Sequence, residues 1–345
     1  MSLLLSPVEL AGLSLANRVV LSPMCMYEVK KEDGVVTPFH FVHYGARALS
    51  KAGLLIIEST AVEADGRITK NDLGLWNEAQ QAELSKLFAL LQGFGSKVGV
   101  QLNHAGRKAV DADYPIAPSD SPFNENYPVP HEMTLAEIHR VQESFVAAAK
   151  RAQAAGVDMI ELHGAHGYLI DQFLSPLVNQ RTDAYGGSLA NRYRFVKEVV
   201  QGVRKVFDGS LWMRLSLTDY APDEQQNSVA EWQQIGQWLE ADGIDCLDIS
   251  TGGLLDRKPS IPVYEGYQTP YATAMKAAVE IPVATVGLLD NPNLCEHLLQ
   301  TKQADLILQG RALIRNIHWL ADAATQLHDR SFTPYNDSYG RGIKR

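Results

Sequence analysis

Short apolar segments alternate with longer amphipathic segments along the whole chain. A short apolar segment between polar turns is typical of a buried strand, and a 3.6-residue hydrophobic repeat is typical of a helix that packs on one face. The predicted strands lie at 18–21, 54–58, 98–102, 158–162, 211–215, 244–249, 282–286 and 305–308. The predicted helices lie around 43–52, 78–94, 134–155, 190–207, 228–242, 270–279, 292–301 and 312–327.

Strands that are each followed by a helix predict a parallel sheet, and this number of repeats predicts a closed (β/α)₈ barrel. No second regime of composition interrupts the pattern, so residues 1–345 are expected to form one domain. A doubly wound open sheet is the alternative fold. Such sheets usually carry Gly-x-Gly-x-x-Gly after the first strand, and no such motif follows residue 21. The pattern therefore favours the α/β barrel.

Two connections are much longer than the others, and both leave the carboxyl end of a predicted strand. They span residues 24–41 and 103–133. Loops of this length in a compact domain are usually lids or binding loops, and the carboxyl ends of barrel strands form the catalytic face. We therefore expect both to be active-site loops. The polar tail at 332–345 is expected either to fray or to dock on a neighbouring subunit.

Composition and charge restrict the partners and the compartment. A net charge of -9 without a basic stripe argues against nucleic acid. No apolar run approaches the length of a membrane span, and the first residues lack the pattern of a signal peptide. Cys25, Cys246 and Cys295 form no Cys-x-x-Cys pair, so neither a disulfide framework nor a cysteine metal site is predicted. These features predict a protein of the reducing cytoplasm.

The end of the fourth predicted strand carries the most informative polar residues. Alternation places Glu161 and His163 on the side that lines the interior of a parallel barrel, with His163 at the carboxyl mouth. His166 and Tyr168 follow in the next turn. Two imidazoles and a phenol suit the binding of a carbonyl oxygen and the transfer of a proton. The buried Glu161 is expected to be paired or protonated.

Glycines after the seventh and eighth strands predict a phosphate site. Gly287 and Gly310 each lead into a predicted helix, and Arg311 follows the second glycine. Backbone N–H groups and a helix amino terminus bind anions at this place in barrels, and an arginine adds a bidentate pair. The residues alone therefore indicate a phosphate-bearing cofactor or substrate. They leave open a metal at the two histidines and a Schiff-base lysine at Lys108.

Five motifs occur in order along nearly the whole chain. They are Ser-Pro-Met-Cys-Met-Tyr at 22–27, His-Ala-Gly-Arg-Lys at 104–108, His-Gly-Ala-His-Gly-Tyr-Leu at 163–169, Arg-Thr-Asp-Ala-Tyr-Gly-Gly-Ser at 181–188 and Gln-Gly-Arg at 309–311. This set resembles the old yellow enzyme family. Cys25 and the Tyr-Gly-Arg-Gly sequence at 339–342 resemble its bacterial, thermophilic-like branch.

The resemblance implies an FMN-dependent ene-reductase on a (β/α)₈ barrel. NADPH or NADH is the implied reductant, and the implied substrate is an α,β-unsaturated carbonyl compound that receives hydride from flavin N5 on its β carbon. His163 and His166 are expected to bind the carbonyl oxygen and stabilise the developing enolate charge. Tyr168 is expected to protonate the α carbon, because a phenol with a pKa near about 10 stays protonated at neutral pH.

The resemblance also implies contacts by motif position. Cys25 is expected to tune the flavin and contact substrate, together with Tyr27. Arg341 is expected to reach into a neighbouring active site, which implies a homodimer or homotetramer. The implied FMN contacts are Ser22, Pro23, Met24 and Cys25 along the ring, Ser59, Gln101, Lys108 and Arg214 at its polar edge, and Gly287, Gly310 and Arg311 at the phosphate.

Three alternatives differ from this interpretation in testable ways. A flavin-binding barrel without turnover would serve as a redox module. A phosphate-binding aldolase or isomerase barrel would hold no flavin. Larger relatives that append an iron–sulfur cluster and further domains are disfavoured, because the sequence contains no cysteine cluster.

Overall fold

Eight parallel strands close into a barrel in the computed structural model, which describes residues 1–222, 225–256 and 264–342. Each barrel strand pairs with its neighbours in chain order, and the first pairs with both the second and the last. The barrel strands are β1 (Val19–Leu21), β2 (Leu54–Ala61), β3 (Lys97–Asn103), β4 (Met159–Gly164), β5 (Ser210–Ser216), β6 (Cys246–Ser250), β7 (Val283–Thr285) and β8 (Leu306–Gln309). The predicted (β/α)₈ barrel is confirmed, and the doubly wound alternative is wrong.

The helices of the described residues surround this barrel. They are α1 (Pro38–Leu49), α2 (Glu78–Gly93), α3 (Leu135–Ala155), α4 (Leu169–Leu174), α5 (Leu189–Arg204), α6 (Val229–Ala241), α7 (Thr269–Lys276), α8 (Pro292–Gln300), α9 (Arg311–Arg315) and α10 (Trp319–Gln326). Thr134 begins α3 with the predicted capping box, because its hydroxyl accepts the N–H of Glu137 while the Glu137 carboxylate accepts the N–H of Thr134.

Two helices differ from the sequence pattern. The helix predicted at 312–327 is two helices, because Asn316 leaves the helical region at φ -139° and ψ 98°. The side-chain oxygen of Asn316 accepts the N–H of His318 at 2.9 Å, just before α10 begins. Helix α4 is not predicted by periodicity, because all six of its residues are buried and no polar face marks it.

The barrel interior is apolar at its amino-terminal end and polar at its carboxyl end. An antiparallel hairpin, Val8–Leu10 with Leu13–Leu15, packs Leu13 and Leu15 against Met159 and Trp212 inside the barrel. Above this layer, the inward positions carry Gln101, Glu161, Arg214 and Asp248. The strand pattern does not predict the hairpin, because the hairpin precedes the first strand of the strand–helix repeat.

The long connections contain more regular structure than the sequence indicates. Helix α1 begins at Pro38, so the first long loop ends earlier than the predicted residue 41. The second contains a pair of short strands, Ile116–Ala117 and His131–Glu132, and another short strand, Leu73–Gly74, extends the sheet beside β2. The tail ends in a 3₁₀ turn, Asp337–Gly342; residues 343–345 of the predicted tail lie outside the described residues.

None of the helices in the described ranges combines the length and the apolar composition that a membrane crossing requires.

Candidate active site

The carboxyl ends of the barrel strands surround a cavity of ≈ 350 Å³. Its lining contains the predicted residues Ser22, Pro23, Met24, His166, Arg214, Gly287, Gly310 and Arg311. Residues that the motifs do not indicate also line it, among them Ser250, Thr251 and Gln268. The structure therefore places the predicted phosphate end, ring contacts and one catalytic histidine around a single cavity.

The side chains of His163, His166 and Tyr168 meet beside this cavity. The ring centroids of His163 and His166 lie 5.1 Å apart, and those of His163 and Tyr168 lie 4.9 Å apart. A tight turn produces this arrangement, with φ of 59° at His166 and 72° at Gly167. Asp171 on α4 holds the turn, since its Oδ2 accepts the N–H of Gly167 at 2.8 Å. The predicted triad is brought together by β4, the turn and the start of α4.

Each imidazole keeps at least one nitrogen free for a ligand. The Nε2 of His166 lies 2.7 Å from Oγ of Ser250, and that hydroxyl lies 3.0 Å from Oε1 of Gln268. This leaves Nδ1 of His166 without a hydrogen bond to the described residues. The Nδ1 of His163 is buried and likewise has no partner among them. Nε2 of His163 has no hydrogen bond to the described residues either, so the unbonded nitrogens of the two imidazoles are the candidates for binding a polar ligand group.

Burial keeps the three side chains uncharged at neutral pH. It lowers the pKa of His163 and of His166 well below the usual value, and the nearby charges of Arg214 and Lys108 act in the same direction. Burial also raises the pKa of Tyr168 well above that of a free phenol. The site therefore offers neutral imidazoles and a protonated phenol, all of which are hydrogen-bond donors.

Lys108 supports the catalytic turn instead of lining the cavity. Its ammonium donates to the backbone oxygens of His166 at 2.9 Å and Gly253 at 3.0 Å, and it lies 4.9 Å from the centre of the Tyr168 ring. Burial lowers the pKa of Lys108 to about 8. Lys108 thus contacts the turn and the Tyr168 ring and is not among the residues that line the cavity, and its flavin-edge role stays a prediction.

The first βα loop brings Cys25 and Tyr27 to the site. Cys25 is half-buried and packs near Tyr168 against Ile68 and Ala105. Burial and the neighbouring acids raise the pKa of the Cys25 thiol, so it remains a thiol and is a poor nucleophile. Tyr27 is exposed and has φ of 56°, which turns the chain sharply after Cys25.

Glu58 anchors this loop, although sequence reasoning missed it. Its carboxylate accepts the N–H of Met26 and the O–H of Tyr44, both at 2.9 Å. It is almost fully buried, and burial raises its pKa to about 7. The sequence did contain a signal for this role. Glu58 is an acidic residue in the otherwise apolar strand 54–58, and an acid is seldom buried without a specific partner.

Three residues of the predicted polar edge, Arg214, Ser59 and Gln101, are each hydrogen-bonded to another side chain. The Nη1 of Arg214 donates to Oγ of Ser22 at 3.1 Å. Ser59 accepts from the side chain of Asn103 at 2.9 Å, and Gln101 donates to Glu161 at 2.6 Å. Arg214 and Gln101 therefore have fixed orientations before any ligand binds, as preorganised recognition requires.

Two glycines line the predicted phosphate end, and a side chain at either position would approach neighbouring side chains closely. Gly287 has φ of 122°, and a Cβ there would lie 2.7 Å from the side-chain nitrogen Nε2 of Gln268. A Cβ at Gly310 would lie 3.1 Å from the sulfur of Met24. Arg311 opens α9 and its side chain is exposed. Glycines let the backbone come close to a ligand, and Arg311 directly after Gly310 adds a positive charge, so this end is suited to a phosphate group.

Arg341 does not enter the active site of its own chain. It is exposed in the 3₁₀ turn Asp337–Gly342 and is not part of the cavity lining. Gln268, by contrast, lines the cavity although none of the motifs includes it. It lies in the connection directly before α7.

The cavity fits the FMN that the motifs imply. Pro23 and Met24 supply apolar contacts for a flat ring, while Arg214 and Ser22 supply donors at one side. Gly287 and Gly310 supply close backbone contact at the other end. This combination of an apolar wall, a polar edge and a glycine-lined anion site matches a ring that carries a phosphate chain.

Comparisons with known proteins agree with this geometry. Residues 3–330 match the NADH:flavin oxidoreductase / NADH oxidase family. The chain is 45% identical over 344 residues to an NADPH dehydrogenase of Listeria monocytogenes, covering 100% of both chains. It is 43% identical over 341 residues to an NADPH dehydrogenase of Geobacillus thermodenitrificans, covering 99% of this chain and 98% of the relative.

Solved structures extend the agreement to the fold. Morphinone reductase in complex with tetrahydroNAD has a TM-score of 0.80 at 27% identity, with 94% of this chain and 90% of that chain covered. A 2-naphthoyl-CoA reductase complex has a TM-score of 0.87 at 25% identity over 94% of this chain, which spans 52% of that longer protein.

A non-flavin aldolase or isomerase is therefore the wrong interpretation of the phosphate site. Lys108, the candidate Schiff-base residue, has both carbonyl contacts described above and belongs to one of the family motifs. The chain belongs to the NADH:flavin oxidoreductase / NADH oxidase family, within the old yellow enzymes, and is an FMN-dependent oxidoreductase that uses NADPH or NADH.

Proposed function

We propose that this enzyme reduces the activated C=C bond of α,β-unsaturated carbonyl compounds. The observation that carries the proposal is the meeting of two neutral imidazoles, each with a free nitrogen, and a protonated phenol beside the cavity. The hydride for the β carbon of the substrate would come from FMN, when bound, and originally from NADPH or NADH. The protein's own residues then need to bind the carbonyl oxygen and deliver a proton.

His163 and His166 are the proposed donors to the carbonyl oxygen. A neutral imidazole donates through one nitrogen, so the tautomer of His166 decides whether Nδ1 can serve. Nδ1 carries the proton when Ser250 donates to Nε2. As placed, Ser250 and Thr251 donate to Oε1 of Gln268, so this tautomer needs the Gln268 side-chain amide in its flipped orientation, with its NH₂ group towards Ser250. The Gln268–Ser250 pair is therefore proposed to hold His166 in the donating tautomer, and two donors stabilise the enolate oxygen as charge develops.

Tyr168 is the proposed acid. Its hydroxyl stays protonated because burial raises its pKa, and its ring lies against His163 at 4.9 Å between centroids. The ammonium of Lys108, 4.9 Å from the Tyr168 ring, stabilises the phenolate that forms when the proton leaves. The names of the relatives, NADPH dehydrogenase and morphinone reductase, support a reductase driven by a nicotinamide.

The proposal includes a homodimer or homotetramer in which Arg341 enters a neighbouring site. Two observations support it. Arg341 is exposed and outside its own cavity. Phe39 and Val42 on α1 and Ile314 on α9 are exposed apolar side chains, as expected of a face that another subunit covers. The free thiols of Cys25, Cys246 and Cys295 support the proposed cytoplasmic location.

Visible spectroscopy of the purified protein tests the central proposal. Anaerobic NADPH is expected to bleach the flavin, and subsequent 2-cyclohexenone is expected to restore the colour. Bleaching without recovery would reject enones as the substrate class and would favour the redox module without turnover. A protein that binds no FMN when soaked with it would overturn the whole proposal.

A further inference from the structure

Two acidic side chains lie inside the barrel and have no part in the proposed reaction. Glu161 and Asp248 are completely buried, two residues before His163 on β4 and Ser250 on β6. Neither lines the cavity. Charged side chains are almost never fully buried unless they are paired, so this location calls for a physical explanation.

The two acids connect the polar edge residues to each other. The Nε of Arg214 lies 3.0 Å from Oδ2 of Asp248. The Nε2 of Gln101 donates to Oε2 of Glu161 at 2.6 Å. Oε1 of Glu161 and both carboxylate oxygens of Asp248 are buried and have no hydrogen-bond partner among the described residues, so Oδ2 of Asp248 meets Arg214 as an ion pair only. One proton placed between these two acids would provide a partner for both.

The charge balance also requires one proton. Arg214 is the cation in contact with the pair, so two ionised carboxylates would leave a buried negative charge unpaired. An uncompensated buried charge costs several kcal/mol or more, and such groups take up a proton instead. Burial and the neighbouring Asp248 raise the pKa of Glu161 to about 8. Burial raises the pKa of Asp248 too, but Arg214 and the hydrogen bond from Glu161 oppose that effect, and Arg214 contacts Asp248 directly, so the carboxylate belongs there.

We propose that Glu161 is protonated and donates a hydrogen bond to the ionised carboxylate of Asp248. The single negative charge on Asp248 then limits how strongly Arg214 raises the midpoint potential of bound FMN. The inference rests on the proposed placement of Arg214 beside the flavin ring. A cation there stabilises the anionic reduced flavin, and a carboxylate in contact with it offsets part of that effect. Glu161 and Asp248 are positioning residues, because they act through Arg214 and Gln101.

Midpoint potentials of the FMN-loaded variants test this assignment. Asp248→Asn in the Glu161→Gln background is expected to raise the potential by ~30 mV or more, which corresponds to a tenfold gain in binding of reduced over oxidised FMN for a two-electron couple. The double variant is used because Glu161 in the single Asp248→Asn variant would lose its proton and replace the missing charge. Glu161→Gln replaces one neutral group by another and is expected to leave the potential near that of the wild type. Asp245→Asn is the matched control, since Asp245 pairs with Arg204 at 2.9 Å on the outer side of the barrel.

Every other pattern of shifts overturns the proposal. Equal shifts in Glu161→Gln and in the double variant would place the carboxylate charge on Glu161, and no shift in either would mean that the pair has no effect on the flavin.

Infrared spectroscopy tests the shared proton independently of the flavin potential. The wild type at pH 7 should show the C=O band of a buried protonated carboxyl that is missing from Glu161→Gln, and its absence would refute the shared proton. This readout needs no turnover, so failure of the enone assay does not affect it.

Discussion

Burial sets the charge state of the side chains proposed for catalysis more than neighbouring charges do. For His163, His166 and Tyr168, burial is the largest cause of the pKa shift, and each shift favours the neutral form. The residue types and their spacing were readable from one motif. The protonated state of Tyr168 was predictable as well, but the neutral state of the two histidines was not, because it depends on the depth of the site and on Arg214 and Lys108 from distant parts of the chain.

Replacing His163 or His166 by Ala is expected to weaken phenol binding and to slow enone reduction. Loss of one donor to a developing oxyanion typically lowers kcat by about 10²-fold or more. Phenol titration of the flavin spectrum and steady-state rates measure the two effects. His139→Ala, an exposed histidine on α3, is the control. Unchanged rates in both active-site variants would remove them from the mechanism.

Tyr168→Phe is expected to separate the two half-reactions. Reduction of the flavin by NADPH should keep its rate, while oxidation by the enone should slow by about 10²-fold or more, since a positioned acid contributes on that scale. Stopped-flow absorbance measures each half-reaction separately. Equal slowing of both would contradict the role of Tyr168 as the acid.

Glu58→Gln is expected to flatten the pH dependence of stability. The folded protein raises the pKa of Glu58 from 4.5 to about 7, so the fold favours the protonated acid. Its stabilising contribution is present below the unfolded pKa and is lost as the pH rises through 7. The free energy of unfolding should therefore fall by about 2 kcal/mol between pH 5.5 and 8 because of this residue.

Urea denaturation of wild type and Glu58→Gln at both pH values measures that difference. Asp72, with a pKa raised by burial to about 6, remains in both proteins and contributes equally to both. The same pH slope in the two proteins would show that Glu58 does not titrate in this range.

At the scale of elements, the buried strands of the repeat were predictable, whereas helix α4 and the hairpin were not. β2 to β6 lie close to their predicted positions, because interior strands are apolar on both faces. Helix α4 lacks a polar face, and the hairpin precedes the first strand of the strand–helix repeat. The function of α4, to hold the catalytic turn through Asp171, depends on a contact that only the folded chain shows.

A pair of glycine variants is expected to show how closely the catalytic turn is packed. Gly167 and Gly187 both have left-handed φ values, 72° and 77°. A Cβ at Gly167 would lie 2.5 Å from the backbone oxygen of Gly253, whereas a Cβ at Gly187 meets nothing within 4 Å. Gly187→Ala should cost about 1–2 kcal/mol of strain and keep activity. Gly167→Ala should cost about 1–3 kcal/mol more.

Thermal unfolding and enone reduction measured on both variants test this difference. Gly167→Ala should also lose most of its activity, because the clash moves His166 and Tyr168. Equal stability and activity in the two variants would show that the turn has room to adjust.

At the scale of the whole molecule, the closed barrel followed from the repeat of strands and helices, but the assembly of subunits did not. A subunit contact depends on surface shape, which periodicity does not encode. Arg341→Ala is expected to raise KM for the enone about 2- to 10-fold, the value of one hydrogen bond, with FMN content unchanged. Arg330→Ala, exposed at the base of the tail, is the control.

A mixture of Arg341→Ala and Tyr168→Phe subunits tests whether the arginine crosses between chains. A crossing arginine gives each mixed dimer one complete site, so a fraction with the wild-type KM should appear. If that fraction does not appear, Arg341 acts within its own chain or has no role.

The pairing of β1 with β8 joins Val19 to Ile307, nearly opposite ends of the chain. A ribosome must therefore release most of the polypeptide before the sheet can lose its last open edges. Until then β1 presents unpaired backbone groups that can bind other nascent chains. This high contact order predicts slow folding and a need for chaperones during synthesis, even though the finished barrel has its hydrogen bonds satisfied around the whole ring.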